Sequence, residues 1–250
     1  MGHLELHNLQ VQFGGLRAVD GLNLSLEQGE LRCLLGPNGA GKSTTLDLIC
    51  GKTAASGGSV IFGGIDVTHM AEYQRARHGI GRKFQVPSVF KDLSVIENLE
   101  VARSQHPGVL ASLRVFRSRL SGRMDEVLTI VGLHDHLHVK AGNLSHGQTQ
   151  WLEIAMLLMQ DCKLILMDEP TAGMTVQETL KTADIFNSLR GSHTMLVVEH
   201  DMSFVRVIAE QVTVMDQGKL LAQGTVAEIE RDPKVRQAYL GDEETADAAS

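Results

Sequence analysis

Residues 36–43 read GPNGAGKS, a glycine-rich segment that directly follows the apolar run LRCLL at residues 31–35. The segment fits the pattern G-x-x-x-x-G-K-[ST], in which glycines let the backbone wrap its N–H groups around a phosphate. Helical periodicity begins at Gly41 and continues to Cys50, so the positive end of a helix dipole also faces the phosphate. An ordinary glycine-rich turn is the alternative, but the strand before the segment and the helix after it favour a phosphate-binding loop.

Two side chains of this phosphate loop carry chemistry. Lys42 is predicted to neutralise the β- and γ-phosphates and to act in catalysis, and the Ser43 hydroxyl is predicted to ligate Mg²⁺. The predicted nucleotide-binding residues are Gly36, Pro37, Asn38, Gly39, Ala40, Gly41, Lys42, Ser43 and Thr44.

Strand and helix patterns alternate around the loop, which predicts an α/β sheet with crossover helices. The strand patterns are LELHNLQVQF, LNLSL, LRCLL, GSVIFGGIDV, LILM, TMLVV, QVTVM and GKLLA. From about residue 93 to 159 helical periodicity replaces them, with apolar residues on one face at Leu113, Phe116, Leu120 and Met124. The predicted parts are a core with an N-terminal antiparallel β subdomain (1–87 and 160–225), an inserted α-helical subdomain (88–159), a C-terminal helix (226–240) and a disordered tail (241–250).

Composition excludes several classes of protein. The 250 residues carry a net charge of −7 with 43% hydrophobic residues, which allows a buried core and argues against broad binding to nucleic acid or anionic lipid. No run approaches the ~20 apolar residues of a membrane span, and no signal-peptide pattern is found, so we expect a cytoplasmic chain. Cys33, Cys50 and Cys162 have neither metal-site nor disulfide spacing and are expected in the core.

The run LILMDEP places Asp168 and Glu169 at the carboxyl end of a predicted strand, where open α/β sheets bind ligands. Asp168 is predicted to hold the Mg²⁺ shell, and Glu169 to be the general base that polarises the attacking water. A core strand that ends in a turn is the alternative for these two residues taken alone.

Residues 144–148 read LSHGQ and precede a helical run. Ser145 and Gln148 predict a capping box at the start of that helix. The capped terminus is predicted to offer N–H groups and the Ser145 hydroxyl to a γ-phosphate, and plain helix capping is the alternative.

His200 follows the predicted strand TMLVV. Together with the phosphate loop and the acidic strand end, it is predicted to sense the γ-phosphate by hydrogen bonding to the terminal oxygens. An ordinary surface or core histidine is the alternative.

Two other clusters are interpreted as ordinary structure. The imidazoles of His134, His136 and His138 suggest metal binding, but a solvated loop is the favoured interpretation. A basic group at Arg114, Arg117, Arg119 and Arg123 has apolar residues at helical spacing between its members, which indicates an amphipathic helix.

Four motifs stand in one order along the chain: GPNGAGKST, LSHGQ, LILMDEP and VVEHD. Together they resemble the nucleotide-binding subunit of an ABC transporter, and the resemblance extends to about Gly241. It implies a P-loop NTPase fold with a RecA-like core, an antiparallel β subdomain and an inserted helical subdomain. It also implies that ATP and Mg²⁺ are bound and that ATP is hydrolysed at the cytoplasmic face of the inner membrane.

The resemblance assigns further residues and partners. Phe13 falls on the adenine-stacking aromatic, and Gln85 on the glutamine that contacts the metal and water and faces the membrane partner. From the sequence alone, Phe13 is interpreted as core packing and Gln85 as a loop residue. A second ATP-binding subunit is implied head to tail, so that Ser145, Gly147 and Gln148 of one chain meet the nucleotide on the other. Integral membrane permease subunits and, indirectly, a periplasmic substrate-binding protein complete the expected partners, with no nucleic acid.

Two residues depart from the family pattern. His146 replaces the first glycine of the usual LSGGQ, which adds bulk near the partner's ATP but keeps the donors. Thr175 replaces the usual aspartate after the acidic strand, so communication between subunits is expected to use other contacts.

The segments GRKFQVPSVFKDLSVIENL and VVEHDMSFVR resemble subunits of branched-chain amino acid and urea uptake systems. LSHG, QWLEIAMLLMQ and AGMT are most similar to the urea type, so we predict a urea importer ATPase, with a branched-chain amino acid importer as the alternative. A soluble ABC-type ATPase of DNA repair or translation and a small-molecule P-loop kinase are rival classes.

Overall fold

The computed structural model describes residues 2–83, 89–103 and 122–238. Its strands form two sheets. A four-stranded antiparallel sheet, in the order β2-β1-β4-β5, contains β1 (Leu4–Phe13), β2 (Leu16–Leu26), β4 (Gly57–Phe62) and β5 (Ile65–Asp66). A six-stranded sheet, in the order β10-β9-β3-β8-β7-β6, contains β3 (Leu31–Leu35), β6 (Ile80–Lys83), β7 (Leu164–Asp168), β8 (Thr194–Val198), β9 (Gln211–Asp216) and β10 (Lys219–Gly224).

The helices of the described residues pack on these sheets or form the predicted inserted lobe. They are α1 (Lys42–Cys50), α2 (Glu72–Arg77), α3 (Val95–Arg103), α4 (Gly122–Val131), α5 (His146–Met159), α6 (Val176–Leu189), α7 (Met202–Ile208) and α8 (Val226–Arg231). Among residues 89–103 and 122–159 the regular elements are helices, and an isolated bridge joins Ser94 to Lys140. The domain bounds themselves stay a prediction.

The three central strands β3, β7 and β8 are buried along their whole length. They read as continuous apolar runs because a parallel sheet is covered on both faces. β3 pairs in parallel with β8, and β7 pairs in parallel with both β8 and β6. Their carboxyl ends therefore meet at one edge of the sheet, and this edge collects the motifs predicted to carry function.

Two hydrophobic cores lie on opposite faces of this sheet. Cys33 belongs to the core shared with the helical lobe, whereas its neighbour Leu34 belongs to the core shared with α1 and the antiparallel sheet. Successive strand residues point to opposite faces, so the same short strands serve both cores. Cys33, Cys50 and Cys162 are buried, as predicted.

The lobe and the sheet edge both bear on the sequence interpretation. Met124 of the predicted apolar face is fully buried, and Leu113, Phe116 and Leu120 lie outside the described residues. Strand β6 was not predicted, because only its first residue is aliphatic. Within the described residues, no helix has the length and apolar character needed to cross a bilayer.

Candidate functional site

The phosphate loop connects β3 to α1, and its glycines adopt backbone conformations that other residues rarely reach. Gly36, Gly39 and Gly41 have φ values of 147°, 80° and 98°. A Cβ atom on Gly36 would collide with the Met215 carbonyl oxygen, and one on Gly41 with the Ala18 carbonyl oxygen. The loop therefore depends on glycine at these two positions for both conformation and space.

Lys42 is the first residue of α1, and its ammonium group folds back over the loop. Its Nζ donates to the carbonyl oxygens of Gly36 at 2.6 Å and of Pro37 at 2.9 Å. The loop residues from Asn38 to Thr44 line an open cleft of about 770 Å³. The buried ammonium group thus lies at the base of a cleft large enough for a nucleotide.

Phe13 lines the same cleft and is 52% exposed. It is therefore not a core residue, which was the interpretation from the sequence alone. An exposed aromatic ring beside a phosphate loop offers a flat apolar surface on which a base stacks.

Two side chains with oxygen atoms suited to bind a metal ion lie side by side at the mouth of the phosphate loop. The Ser43 hydroxyl donates to Asp168 Oδ1 at 3.2 Å, which brings the first residues of α1 to the end of β7. Burial raises the pKa of the Asp168 carboxyl, and the hydrogen bond from Ser43 opposes that shift. A hydroxyl and a carboxylate are hard oxygen ligands, so this pair fits the donor set that Mg²⁺ prefers.

Arg82 on β6 lies beside Asp168, and no sequence pattern had predicted a role for it. Its buried guanidinium forms an ion pair with Asp47 of α1 and lies 3.6 Å from Asp168 Oδ2. It therefore places a fixed positive charge behind the Asp168 carboxylate.

Glu169 follows β7 with a φ of 46°, a conformation that a non-glycine residue rarely adopts. Its backbone N–H donates to the Val198 carbonyl at 3.0 Å, and its side chain lines the cleft of the phosphate loop. Strained backbone of this kind clusters at functional sites, where surrounding contacts hold it in place.

His200 lies at the adjacent strand end, and the structure brings it next to Glu169. Its Nδ1 is 3.7 Å from Glu169 Oε1, and its side chain is 65% exposed. Glu199, another residue missed from the sequence, precedes His200 and is buried. Glu199 accepts from the Thr171 hydroxyl at 2.6 Å and from the His200 backbone N–H at 3.2 Å, which fixes the backbone that carries the imidazole.

Ser145 is the N-cap of α5, and the predicted capping box is confirmed. The Ser145 hydroxyl accepts from the Gln148 N–H at 3.2 Å, and the Ser145 N–H donates to Gln148 Oε1 at 2.9 Å. His146 contacts the loop after Glu169, since its Nε2 lies 3.0 Å from the Ala172 carbonyl oxygen. Ser145, Gly147 and Gln148 are not among the residues that line the cleft of the phosphate loop.

The remaining candidates are not brought together in the described structure. Gln85 lies outside the described residues, two positions after the end of β6. His134 contacts the Thr129 hydroxyl at 3.0 Å and His136 contacts the Gln148 amide at 3.0 Å. Among residues 2–83, 89–103 and 122–238, no group of three side chains is arranged to hold a metal ion through histidine, cysteine or carboxylate ligands alone.

Comparison with known proteins agrees with this geometry. The family described as "ABC transporter" matches residues 19–172, and "Branched-chain amino acid ATP-binding cassette transporter" matches residues 219–245. The chain is 36% identical over 249 residues to the high-affinity branched-chain amino acid transport ATP-binding protein LivG of Escherichia coli (strain K12), with 96% of this chain and 98% of LivG covered. It is 34% identical over 249 residues to the corresponding protein BraF of Pseudomonas aeruginosa, with the same coverage.

Solved structures give the same result over 96% of the chain. A nucleotide-free ATP-binding cassette from an ABC transporter is 31% identical and superposes with a TM-score of 0.81, with 99% of that chain covered. An ATP-binding cassette of an ABC transporter in its ADP conformation is 32% identical and has a TM-score of 0.80, again with 99% covered. The chain therefore belongs to the ABC transporter family, as an ATP-hydrolysing ATP-binding subunit of the branched-chain amino acid type.

Proposed function

We propose that this chain binds ATP with Mg²⁺ at the phosphate loop and hydrolyses it to drive import of a branched-chain amino acid. The observation that carries the site assignment is the hydrogen bond between Ser43 and Asp168, because it joins the phosphate loop to the acidic strand end. The names of LivG and BraF support the class of substrate.

The phosphate loop binds the nucleotide through charge and backbone donors. Lys42 exchanges its bonds to loop carbonyls for the β- and γ-phosphate oxygens, while the N–H groups of residues 38–44 surround the phosphates. Phe13 stacks on the adenine. Ser43 and Asp168 hold Mg²⁺, which when bound neutralises charge on the β- and γ-phosphate oxygens.

Glu169 acts as the general base. Its carboxylate accepts a proton from the water that attacks the γ-phosphorus, and the bond from that phosphorus to the bridging oxygen of ADP breaks. His200, 3.7 Å away, orients the Glu169 carboxylate and donates to a γ-phosphate oxygen. Arg82 keeps Asp168 in place beside Ser43.

A second ATP-binding subunit completes the site. The residues Ser145, Gly147 and Gln148 do not line the cleft of their own chain, so a nucleotide that they contact must be bound to another chain. A solved ATP-binding cassette that is 25% identical, with a TM-score of 0.73 over 89% of this chain, is dimeric with ADP and Pi bound. A head-to-tail pair of subunits fits this placement, because it brings the start of α5 of one chain to the phosphate loop of the other.

Gln85 is proposed to connect this site to the membrane partner. It stands two positions after β6 in the sequence, and Arg82 of β6 lies 3.6 Å from Asp168 Oδ2. We propose that the chain docks on integral permease subunits at the cytoplasmic face of the membrane, with a periplasmic binding protein delivering the substrate.

Transport assays test this function and its substrate. Deleting the gene is expected to remove uptake of labelled leucine, and the unaltered gene is expected to restore it. Glu169→Gln is expected to keep ATP binding, lower turnover about 1000-fold and fail to restore uptake, since a general base contributes about 10²–10⁴-fold. Restored uptake in that variant contradicts the role of Glu169.

The same strains separate the alternatives. Loss of urea uptake with normal leucine uptake supports the urea prediction, which the named relatives do not favour. Purification of the tagged chain from membranes is expected to recover integral membrane subunits. Recovery of soluble or ribosomal partners alone supports the rival class of soluble ABC-type ATPases.

A further inference from the structure

The donors at the start of α5 are already occupied by a carboxylate of the same chain. Glu178, in the first turn of α6, accepts from the Ser145 hydroxyl through Oε1 at 2.9 Å. The Gly147 backbone N–H also helps to hold the pKa of this carboxylate below its ordinary value, and the Gly147 backbone lies directly against Oε1. These are two of the three residues through which the proposed function has α5 bind the γ-phosphate of a second subunit.

The other oxygen of Glu178 is held by its own helix. Oε2 accepts from the Thr175 N–H at 3.0 Å and from the Thr175 hydroxyl at 3.0 Å, which completes a capping box at the N-terminus of α6. One carboxylate therefore joins the start of α5 to the start of α6. Thr175 stands where the family usually has an aspartate, so this bridge uses the residue that departs from the pattern.

The bridge requires glycine at position 147. A Cβ atom on Gly147 would lie 2.5 Å from Glu178 Oε1 and 2.6 Å from its Cδ. The carboxylate thus occupies the space directly above the buried Gly147 backbone, close to the positive end of the α5 dipole. A phosphate oxygen bound by Ser145 and Gly147 would need that same space.

We propose that Glu178 is an internal substitute for the γ-phosphate. In a chain without its partner subunit, the Glu178 carboxylate occupies the donors of α5, and it must be displaced when the ATP of a second subunit binds there. The proposal rests on the function proposed above. No covalent step is involved: Oε1 gives up its hydrogen bond from the Ser145 hydroxyl and its place beside the Gly147 backbone, and phosphate oxygens take that place. Oε2 keeps its bonds to Thr175, so α6 stays capped while its start is released from α5.

This competition between the Glu178 carboxylate and the γ-phosphate sets the ATP concentration at which the two subunits pair. The incoming phosphate must replace the hydrogen bond from Ser145 to the Glu178 carboxylate, and it must approach the negative charge of that carboxylate. Binding of ATP to the phosphate loop of a single chain does not involve Glu178. The inference therefore predicts an effect on the assembled complex that is missing from the isolated chain.

The test uses the complex purified from membranes and the isolated full chain, each with MgATP. In the complex, Glu178→Gln is expected to lower the ATP concentration for half-maximal hydrolysis about three- to tenfold, because hydrogen bonds to a charged, partly exposed group are replaced by weaker ones. Glu178→Asp keeps the charge but shortens the reach to Ser145, so a smaller decrease is expected. ATP affinity of the isolated chain is expected to be unchanged in both variants.

Glu228→Gln is the matched control. Glu228 forms the same capping box with Thr225 at the start of α8, with Oε2 2.8 Å from the Thr225 N–H. Its loss affects helix capping without touching α5, and half-saturation is expected to stay at the wild-type value. An unchanged or raised half-saturation in both Glu178 variants overturns the inference, because Glu178 would then only cap α6 or orient Ser145.

The proposed function fails in a different measurement. A wild-type chain that binds no ATP, or that yields no complex from membranes, removes the proposed function and this inference with it. A wild-type complex that hydrolyses ATP while the Glu178 variants match the Glu228 control removes the inference alone.

Discussion

The N-termini of α1 and α5 are both suited to bind phosphate, but only one of them is open. Within the described residues, no side chain caps α1, whose N-cap is Gly41, and no acidic residue stands in its first turn. At α5 the N-cap Ser145 forms a capping box with Gln148 and also donates to Glu178. The chain satisfies one terminus internally and leaves the other facing the cleft.

This difference indicates where binding costs free energy. The open terminus gains its phosphate contacts without breaking bonds inside the protein, apart from those that Lys42 makes to the loop and the one that Ser43 makes to Asp168. An occupied terminus must first give up hydrogen bonds to a charged group, which are among the stronger ones in proteins. We therefore expect changes at α1 to alter nucleotide binding by one chain, and changes at α5 to alter only the pair.

The largest effect is expected from Lys42→Ala. Removing the ammonium group deletes charge-assisted hydrogen bonds to the phosphates, so ATP affinity of the isolated chain should fall about 100-fold or more. Fluorescence titration with a labelled ATP analogue measures this affinity. The control is Lys52→Ala just beyond the end of α1, where the side chain is 52% exposed and lies 3.7 Å from Asp47. Undiminished binding in Lys42→Ala contradicts the description of α1 as the open phosphate site.

The sequence predicted the open terminus because its signals are local. The apolar runs of β3, β7 and β8 are continuous, and the glycines of the phosphate loop lie within eight residues of one another. Capping by Ser145 and Gln148 was equally visible, since the two residues are three apart. Local spacing was therefore enough to predict the central sheet, the phosphate loop and the cap of α5.

Features that depend on distant partners were missed. Strand β6 reads Ile-Gly-Arg-Lys, and its two cations are buried because Arg82 pairs with Asp47 and Asp168 while Lys83 lies 3.8 Å from Glu153. Burial lowers the pKa of Lys83, and the Glu153 carboxylate opposes that shift. Nothing in the residues near β6 predicts these pairs.

The contact between Glu178 and Ser145 was missed for the same reason. Thr175 and Glu178 have the spacing of a capping box and are visible as one in the sequence. The second role of the Glu178 carboxylate, its hydrogen bond from Ser145, depends on how α6 packs against α5.

A second, smaller effect is expected from two glycine substitutions, one at each terminus. Gly36→Ala places a Cβ against the Met215 backbone at a φ of 147°, so the loop must distort, and the free energy of unfolding should fall by about 2 kcal/mol. Gly147→Ala meets the end of the Glu178 side chain, which can rotate away, so a loss of about 0.5 kcal/mol or less is expected. Urea unfolding measures both values.

Nucleotide binding by the isolated chain separates these variants further. Gly36→Ala is expected to weaken it, and Gly147→Ala to leave it unchanged, because only the first residue belongs to the open terminus. Equal losses of stability and of binding in the two variants would contradict the comparison of α1 with α5.

The smallest effect concerns the charge on Glu178. Hydrogen bonds from the Thr175 N–H, and then from the Ser145 hydroxyl, hold the pKa of Glu178 below its ordinary value of 4.5. A carboxyl whose pKa is lowered on folding stabilises the protein above its unfolded pKa, and this contribution is lost as the pH falls through the folded value. Wild-type Tm should therefore exceed that of Glu178→Gln by about 2–4 °C near pH 7, as for loss of a helix cap. The difference should shrink as the pH falls below 4.5 and the carboxyl becomes protonated.

Glu228→Gln provides the comparison for that pH series. The Thr225 N–H and hydroxyl also lower the pKa of Glu228, so its variant should lose Tm over the same pH range. Since Glu178 has the additional bond to Ser145, its variant should lose somewhat more near neutral pH than the Glu228 variant does. A Tm difference for Glu178→Gln that persists unchanged well below pH 4.5 would mean that the charge on Glu178 does not stabilise the bridge, and the occupied terminus would then owe its stability to the Ser145 and Gln148 cap alone.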